Sequence, residues 1–283
     1  MKAGTPLVSI IMPTYNCGAY IEDSIRSVIA QTVTDWELQI VDDCSTDNTR
    51  EVVERLAAQE QCIHYTCFSR NQGPAAARTE ALRRADGKYI AFLDSDDLWE
   101  PDKLERQLAF MEKTGAKFSA TAYDQFDESG TPLPTVCLPP HKTTYRKMLL
   151  LSNPIGNSTV MYDQSALGKF EVPPIRKRND FALWLKILRT TPYCMGMDDI
   201  LTHYRVRTNS VSSNKLAQAK YHWKEYIATK NCAKGLSKVR WTQRWGCKLR
   251  TASKKSWHLW RMRSIRQPSR GECRCSLERS QWI

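Results

Sequence analysis

The sequence predicts an α/β fold with a mostly parallel central sheet flanked by helices. Three observations lead there. Short apolar runs alternate with helically spaced segments through the first 115 residues. The runs have the length and continuity of strands buried on both faces. Two of the intervening helical segments open on a proline, which suits a first helical position. Strand and helix in alternation imply parallel neighbours with helices on both faces of the sheet.

The elements follow in order. Residues 7–12 are an apolar run closed by Pro13 and read as a buried strand. Residues 19–30 carry Tyr20, Ile21, Ile25, Val28 and Ile29 at helical spacing. Glu22 and Asp23 fall in the first turn, where the helix dipole favours negative charge. Residues 36–41 are a second strand, and a helix capped by Asp47 or Asn48 runs on through Ala58. Residues 63–68 form a third strand, 74–85 a helix, 88–93 a fourth strand and 101–114 a helix. Beyond 115 the pattern is less regular. Strands are predicted at 117–123 and 158–162, a short helix at 143–151, and a loop at 173–179. An amphipathic helix is predicted at 180–188, an edge strand at 201–205 and a helix at 213–229.

The 283 residues are enough to bury a full core. No run of about 18 apolar residues offers a spanning helix. Residues 1–6 hold one lysine and no apolar signal region, so a cytoplasmic protein is expected. Ten cysteines without a CxxC pair read as reduced thiols, not as a zinc site. The net charge of +12 would suggest nucleic acid if it were spread along the chain. Residues 231–283, however, hold fourteen Lys/Arg against two Asp/Glu, which leaves the body balanced. With no basic field on the body, no nucleic-acid partner is expected.

In a parallel α/β sheet, ligands bind beyond the carboxyl ends of the strands. Pro13-Thr14-Tyr15-Asn16 follows the first strand, Asp42-Asp43-Cys44-Ser45-Thr46-Asp47 the second, and Asp94-Ser95-Asp96-Asp97 the fourth. Three carboxylates within four residues repel one another unless a cation sits among them. If strand alternation persists, Asp94 and Asp96 share a direction. Their oxygens then suit a hard divalent ion, manganese or magnesium, which can bridge a diphosphate and offset charge on a leaving group. A turn capping the next helix is the other reading. Asp42 or Asp43 can accept a hydrogen bond from a base N–H or a ribose hydroxyl, or serve turn chemistry alone. Arg78, one turn inside its helix, can clamp a base carbonyl or a phosphate, or stand solvated at the surface. No G-x-G-x-x-G follows a strand and no G-x-x-x-x-G-K-[ST] occurs, which argues against nicotinamide and P-loop enzymes.

Four segments together resemble the motifs of the family 2 inverting glycosyltransferases in order and spacing. They are Val8-Ser-Ile-Ile-Met-Pro-Thr-Tyr-Asn16, Ile40-Val-Asp-Asp-Cys-Ser-Thr-Asp47, Asn71-Gln-Gly-Pro-Ala-Ala-Ala-Arg78 and Gly87-Lys-Tyr-Ile-Ala-Phe-Leu-Asp-Ser-Asp-Asp97. The resemblance covers about residues 6–230 and is nearest to bacterial enzymes of surface-polysaccharide (O-antigen or capsule) assembly. It implies the GT-A fold, with 1–115 as the nucleotide-sugar-binding half and 116–230 as the acceptor-binding half. It implies that Thr14, Asp42 or Asp43, and Arg78 hold the uridine, with Tyr15 and Ser95 beside the nucleotide sugar. Asp94 is then near the ribose, and Asp96 with Asp94 holds the metal.

The resemblance also places Asp180 as the base that takes the acceptor hydroxyl's proton. The alternative is a charge suited to a helix N-terminus. Asn179 stands where many relatives have Glu and is expected near the acceptor. Trp184, one turn on, can stack on a sugar ring or sit in the core. The run Tyr204-Arg205-Val206-Arg207, followed by Asn209-Ser-Val-Ser212, resembles the segment that closes over the diphosphate. Many relatives have His where Arg207 stands; Arg205 or Arg207 can pair with phosphate oxygens. His203 is a further candidate metal ligand.

The implied activity moves a hexose, glucose or galactose, from a UDP-sugar to a hydroxyl of a glycan acceptor. The acceptor is expected on a polyprenyl diphosphate at the cytoplasmic membrane face, with a divalent metal as cofactor. A nucleotide-sugar-binding protein without turnover, or an inactive enzyme with an aberrant tail, is the alternative. Residues 231–283 hold five of the nine Trp and four of the ten Cys with little apolar period. They read as a poorly ordered tail drawn to an anionic membrane surface. RNA binding or an out-of-frame origin are the other readings.

Overall fold

The structure, a computed structural model, describes residues 4–151, 153–175 and 178–207. The helix expected at 213–229 and the basic tail lie outside the described residues. The first half follows the expected order: β1 (Val8–Thr14), α1 (Ile21–Ile29), β2 (Trp36–Asp42), α2 (Thr49–Ala57), β3 (Ile63–Cys67), α3 (Pro74–Arg84), β4 (Tyr89–Phe92), a two-residue β5 (Leu98–Trp99) and α4 (Lys103–Thr114). Every residue of β1 and β2 is buried, which is why both read as unbroken apolar runs. The strands run parallel in the order β3-β2-β1-β4. Thr14 is opposite Asp42 in this register, so the polar strand ends share one edge. Gly87, which leads into β4, is required by close approach: a Cβ there would stand 2.5 Å from the Ser9 nitrogen.

The second half comprises β6 (Phe118–Asp127), β7 (Pro132–Cys137), β8 (Lys142–Thr143), α5 (Tyr145–Leu151), a 3₁₀ turn (Asn157–Thr159), β9 (Val160–Asp163), α6 (Gln164–Leu167), α7 (Asn179–Ile187) and β10 (Cys194–Val206). The full order is β3-β2-β1-β4-β9-β6-β10-β5, with β7 on β6 and β8 on β10. The sheet becomes mixed here, because β9 inserts antiparallel to both β4 and β6. The strand expected at the edge over 201–205 is a 13-residue interior strand. β10 runs parallel to β6 and antiparallel to β5. Register shifts between Met197 and Thr202 interrupt its alternation and hide its first half from pattern reading.

Two cores lie on the two faces of the sheet. One packs α1, α2 and α4 residues such as Ile21, Ile25, Val53, Leu104 and Met111 against β1 and β2. The other packs α3 and α7 against Phe92, Phe118 and Tyr162. Helix α7 was expected to be amphipathic, yet all its residues except Asp180 and Lys186 are buried. A helix that is apolar nearly all round is a core helix. Trp184 is wholly buried, edge-on to Phe92 at 5.0 Å and tilted against Phe118 at 5.8 Å. It is a core residue and does not present a ring to a sugar, which corrects that expectation.

Lys103 opens α4 and is fully buried, its Nζ 3.7 Å from the centre of the Trp99 ring and, among the described residues, without a hydrogen-bond partner. Burial holds its amine pKa well below the ordinary 10.5. A ring face returns about 2 kcal/mol to a desolvated cation, whereas burying an ion costs several. Burial therefore favours the neutral amine. The unfolded amine stays protonated up to 10.5, so folding releases a proton, and stability rises with pH between the folded value and 10.5. We expect Lys103→Met to raise the melting temperature at pH 7. Each pH unit spanned is worth about 1.4 kcal/mol. The gain should shrink toward pH 10; a variant less stable than the parent at pH 7 would contradict the neutral, unpaired amine.

Candidate active site

The Asp94-Ser95-Asp96-Asp97 segment is a turn closed by the Asp97 N–H on the Asp94 carbonyl at 3.1 Å. Strand alternation therefore does not direct its side chains, as the sequence suggested; surrounding residues do. Asn157 Nδ2 donates to Asp94 Oδ1 at 2.8 Å, and the Asp94 N–H donates to Ser158 Oγ at 3.0 Å. Ser158 in turn donates to Asp97 Oδ2, and the Arg205 N–H donates to Asp97 Oδ1 at 3.1 Å. The Cys17 thiol donates to the Ser95 carbonyl at 3.2 Å, and burial pushes its pKa up to about 12, so it remains a neutral donor. Asp97 is buried, and burial followed by the charges of Asp96 and Asp94 raises its pKa well above the usual carboxylate range.

At the neighbouring strand end, Asp42 Oδ1 accepts from the Ser45 N–H and hydroxyl at 2.9 and 2.6 Å, and Oδ2 from Tyr65 at 2.8 Å. Asp43 accepts from the Gln72 and Gly73 N–H groups at 2.6 and 2.7 Å, which fixes the loop leading into α3. Gly73 has φ 91°, a conformation that favours glycine. Both carboxylates thus serve their own loops first; Asp42 Oδ1 is fully used, whereas Asp42 Oδ2 and both Asp43 oxygens each keep a lone pair. Thr14 Oγ1 is buried at this edge without a hydrogen-bond partner among the described residues, and Tyr15 beside it is half exposed. A ligand donor or acceptor at this edge would complete the Thr14 hydroxyl.

Arg78 is the node between the two halves. It is 8% exposed, and it donates to Asp94 Oδ1 at 2.7 Å and to Asn179 Oδ1. A solvated surface role is therefore excluded. Asn179 is buried, and its amide oxygen is engaged by Arg78 rather than turned to an acceptor as expected. Asp180, the next residue, is partly exposed, and its Oδ2 accepts from Asn153 Nδ2 at 3.1 Å. Among the described residues Asp180 has no ion-pair partner, whereas Asp94 and Asp96 each have an arginine.

On the other side of the turn, Arg205 Nε donates to the Asp96 carbonyl at 2.9 Å and Arg207 to Asp96 Oδ2 at 3.2 Å. Arg205 is buried between the rings of Tyr20 and Phe126. A cavity of about 510 Å³ lies beyond it, walled by Tyr20, Asp23, Phe126, His203 and Arg205 among others. His203 is held by Asp124 at 2.6 Å and Glu100 at 2.9 Å, and these bonds, Asp124's first, raise its pKa. Both ring nitrogens are taken, so His203 is a partner of those carboxylates and not a free metal ligand.

For a divalent ion, the electrostatics fit. Burial and the charge of Asp94 raise the pKa of Asp96, with Arg207 offsetting only part. A cation would relieve that excess. Among the described residues no three or more His, Cys, Asp or Glu gather to cage a metal. Asp96 and Asp94 would thus be the carboxylates that hold such an ion, whose positive charge would offset theirs.

Asn153, Asn157 and Ser158 were not singled out from sequence. They precede a strand, whereas ligands of a parallel sheet are expected after strand carboxyl ends. Because β9 runs antiparallel, its start lies at the same edge as the end of β4. The polar run Asn153-Pro154-Ile155-Gly156-Asn157-Ser158 was the available signal.

Comparison with known proteins bears on the family and the fold. The model of "Glycosyl transferase family 2" matches residues 9–172. TuaG of Bacillus subtilis, a glycosyltransferase provisionally assigned to teichuronic acid biosynthesis, is 45% identical over 78% of this chain and 87% of its own length. WfgD of Escherichia coli, a UDP-Glc:alpha-D-GlcNAc-diphosphoundecaprenol beta-1,3-glucosyltransferase, is 40% identical over 77% of this chain and 84% of its own. Among solved structures, mannosyltransferase PcManGT of Pyrobaculum calidifontis with GDP-Man and Mn2+ superposes with a TM-score of 0.60 at 20% identity. That match covers 84% of this chain and 66% of that one.

Proposed function

The chain belongs to glycosyl transferase family 2 and has the GT-A fold, and from that premise we propose that it is an inverting hexosyltransferase. It takes glucose or galactose from a UDP-sugar to a hydroxyl of a lipid-diphosphate-linked glycan in bacterial surface-polysaccharide assembly. The names of WfgD and TuaG support the donor, the acceptor class and the setting. The observation that carries the reading is the chain of bonds Asp94–Arg78–Asn179. It ties the acidic turn, where a diphosphate and cation would lie, to the residue next to Asp180.

In this reading Asp180 accepts the proton of the acceptor hydroxyl as its oxygen attacks the anomeric carbon. The bond to UDP breaks on the opposite face, so an α-linked donor gives a β-linked product. A divalent ion on Asp96 and Asp94 would offset the charge developing on the departing diphosphate. Arg78 keeps Asp94 aimed, and Arg207 supplies N–H donors for phosphate oxygens. No described helix is long and apolar enough to cross a membrane. The basic composition of residues 231–283 supports peripheral attachment at the cytoplasmic face of the membrane, where the lipid acceptor would be met.

The test is UDP release from a panel of UDP-sugars, with manganese or EDTA and with GlcNAc-diphosphate-lipid as acceptor. Metal-dependent release with one hexose donor and a β-anomeric product by NMR is expected. UDP binding without release would reduce the protein to a nucleotide-sugar binder, and an α-product would rule out single displacement by Asp180.

A further inference from the structure

We propose that Tyr20 is a positioning residue for the donor's diphosphate, its ring seating both Arg205 and Arg207 where they meet Asp96. The inference rests on the donor reading above. The guanidinium carbons of Arg205 and Arg207 lie 4.7 and 4.9 Å from the Tyr20 ring centre. Two like charges on one ring repel, so the pair persists only because opposite charge and the ring's negative face hold it. Asp96 Oδ2 accepts from Arg207 at 3.2 Å, and Asp23 Oδ2 accepts from Arg205 at 3.4 Å. Tyr20 is itself fixed to the acidic turn. Its N–H donates to the Cys17 carbonyl at 2.9 Å, and the Cys17 thiol holds Ser95.

The two arginines differ in what they have left to give. Arg205 is buried between Tyr20 and Phe126, and its bonds brace the backbone of Asp96. Arg207 has a side chain 30% exposed, and its carboxylate partner is the one a cation would claim. When a cation takes Asp96, Arg207 keeps the Tyr20 face. A guanidinium stacked on a ring points its N–H donors outward in its own plane, the geometry that grips phosphate oxygens. The ring thus spares Arg207 the entropic cost of being ordered anew by the ligand.

The experiment measures UDP binding with manganese present for the full chain and for Tyr20→Phe, Tyr20→Leu and ring-fluorinated phenylalanines at position 20. Uridine, which lacks the phosphates, is the control ligand. Tyr20→Phe should bind UDP within about twofold of the parent, fluorination should weaken it stepwise, and Tyr20→Leu should weaken it roughly tenfold, as loss of a cation–π seat implies. Uridine binding should not change across the series. Tyr20→Leu combined with Arg207→Ala should lose little more than either alone. The fluorinated series keeps the ring's shape, so it remains informative if the leucine variant folds poorly. Fluorination without effect, or equal losses for uridine and UDP, would overturn the role of Tyr20 alone. No UDP binding by the parent would remove the donor reading, and Tyr20's role with it.

Discussion

Asp180→Asn should lower kcat by about 10³-fold while leaving UDP affinity within about twofold of the parent, since a positioned general base contributes about 10²–10⁴. The substitution is close to isosteric. The amide oxygen can still accept from Asn153, so the first turn of α7 keeps its geometry. What disappears is basicity, because an amide does not take a proton. The competing role for Asp180, a favourable charge at a helix N-terminus, would appear as a loss of about 0.3–1 kcal/mol in stability with turnover intact. Steady-state rates, calorimetric UDP binding and melting temperature for the one variant separate the two. A kcat within tenfold of the parent would remove Asp180 as the base.

Arg78→Lys should be nearly as damaging as Arg78→Ala, and both should cost stability as well as donor binding. Arg78 is buried and reaches Asp94 and Asn179 with two different nitrogens. A lysine ammonium is a single point and cannot span both partners in one plane. Among the described residues, removing the guanidinium leaves the Asp94 carboxylate with only Asn157 and leaves the buried Asn179 oxygen unpaired. Breaking such a pair costs about 3 kcal/mol, which for a chain of this size lowers the melting temperature by roughly 6–12 °C. UDP affinity should fall at least tenfold even at temperatures where the variant is folded. An Arg78→Lys protein with the parent's melting temperature and affinity would show that the node is dispensable.

The first half of the fold was legible because it is regular. Buried parallel strands write themselves as apolar runs, and polar residues after β1, β2 and β4 mark the edge where they end. The second half was harder for reasons that can be named. β7 reads poorly because Pro132 and Pro134 demote it, and among the described residues it pairs only with β6. β10 carries Asp198 and Asp199 at its irregular register, so a single strand looks like a short one. Trp184 taken alone suits either a sugar face or the core, and its neighbours Phe181, Leu183, Leu185 and Ile187 mark the helix as core. The acidic turn was found from its composition, but its shape depends on Ser158 and Arg205, 61 and 108 residues from Asp97. No local pattern announces contacts of that span. Tyr20 was read only as one position of a helical stripe, since a ring's partners cannot be seen from its spacing.

The place of β10 has a consequence for how the molecule is made. This strand arrives last among the described elements and fills the gap between β6 and β5. Until residues 194–206 have left the ribosome, the nascent sheet presents the whole side of β6 as an open ladder of N–H and C=O groups. Such an edge is a template for pairing with another chain. The acidic turn also waits for Arg205, so the same strand that closes the sheet completes the site. Premature termination before β10 should therefore yield aggregation-prone fragments rather than a weakened enzyme.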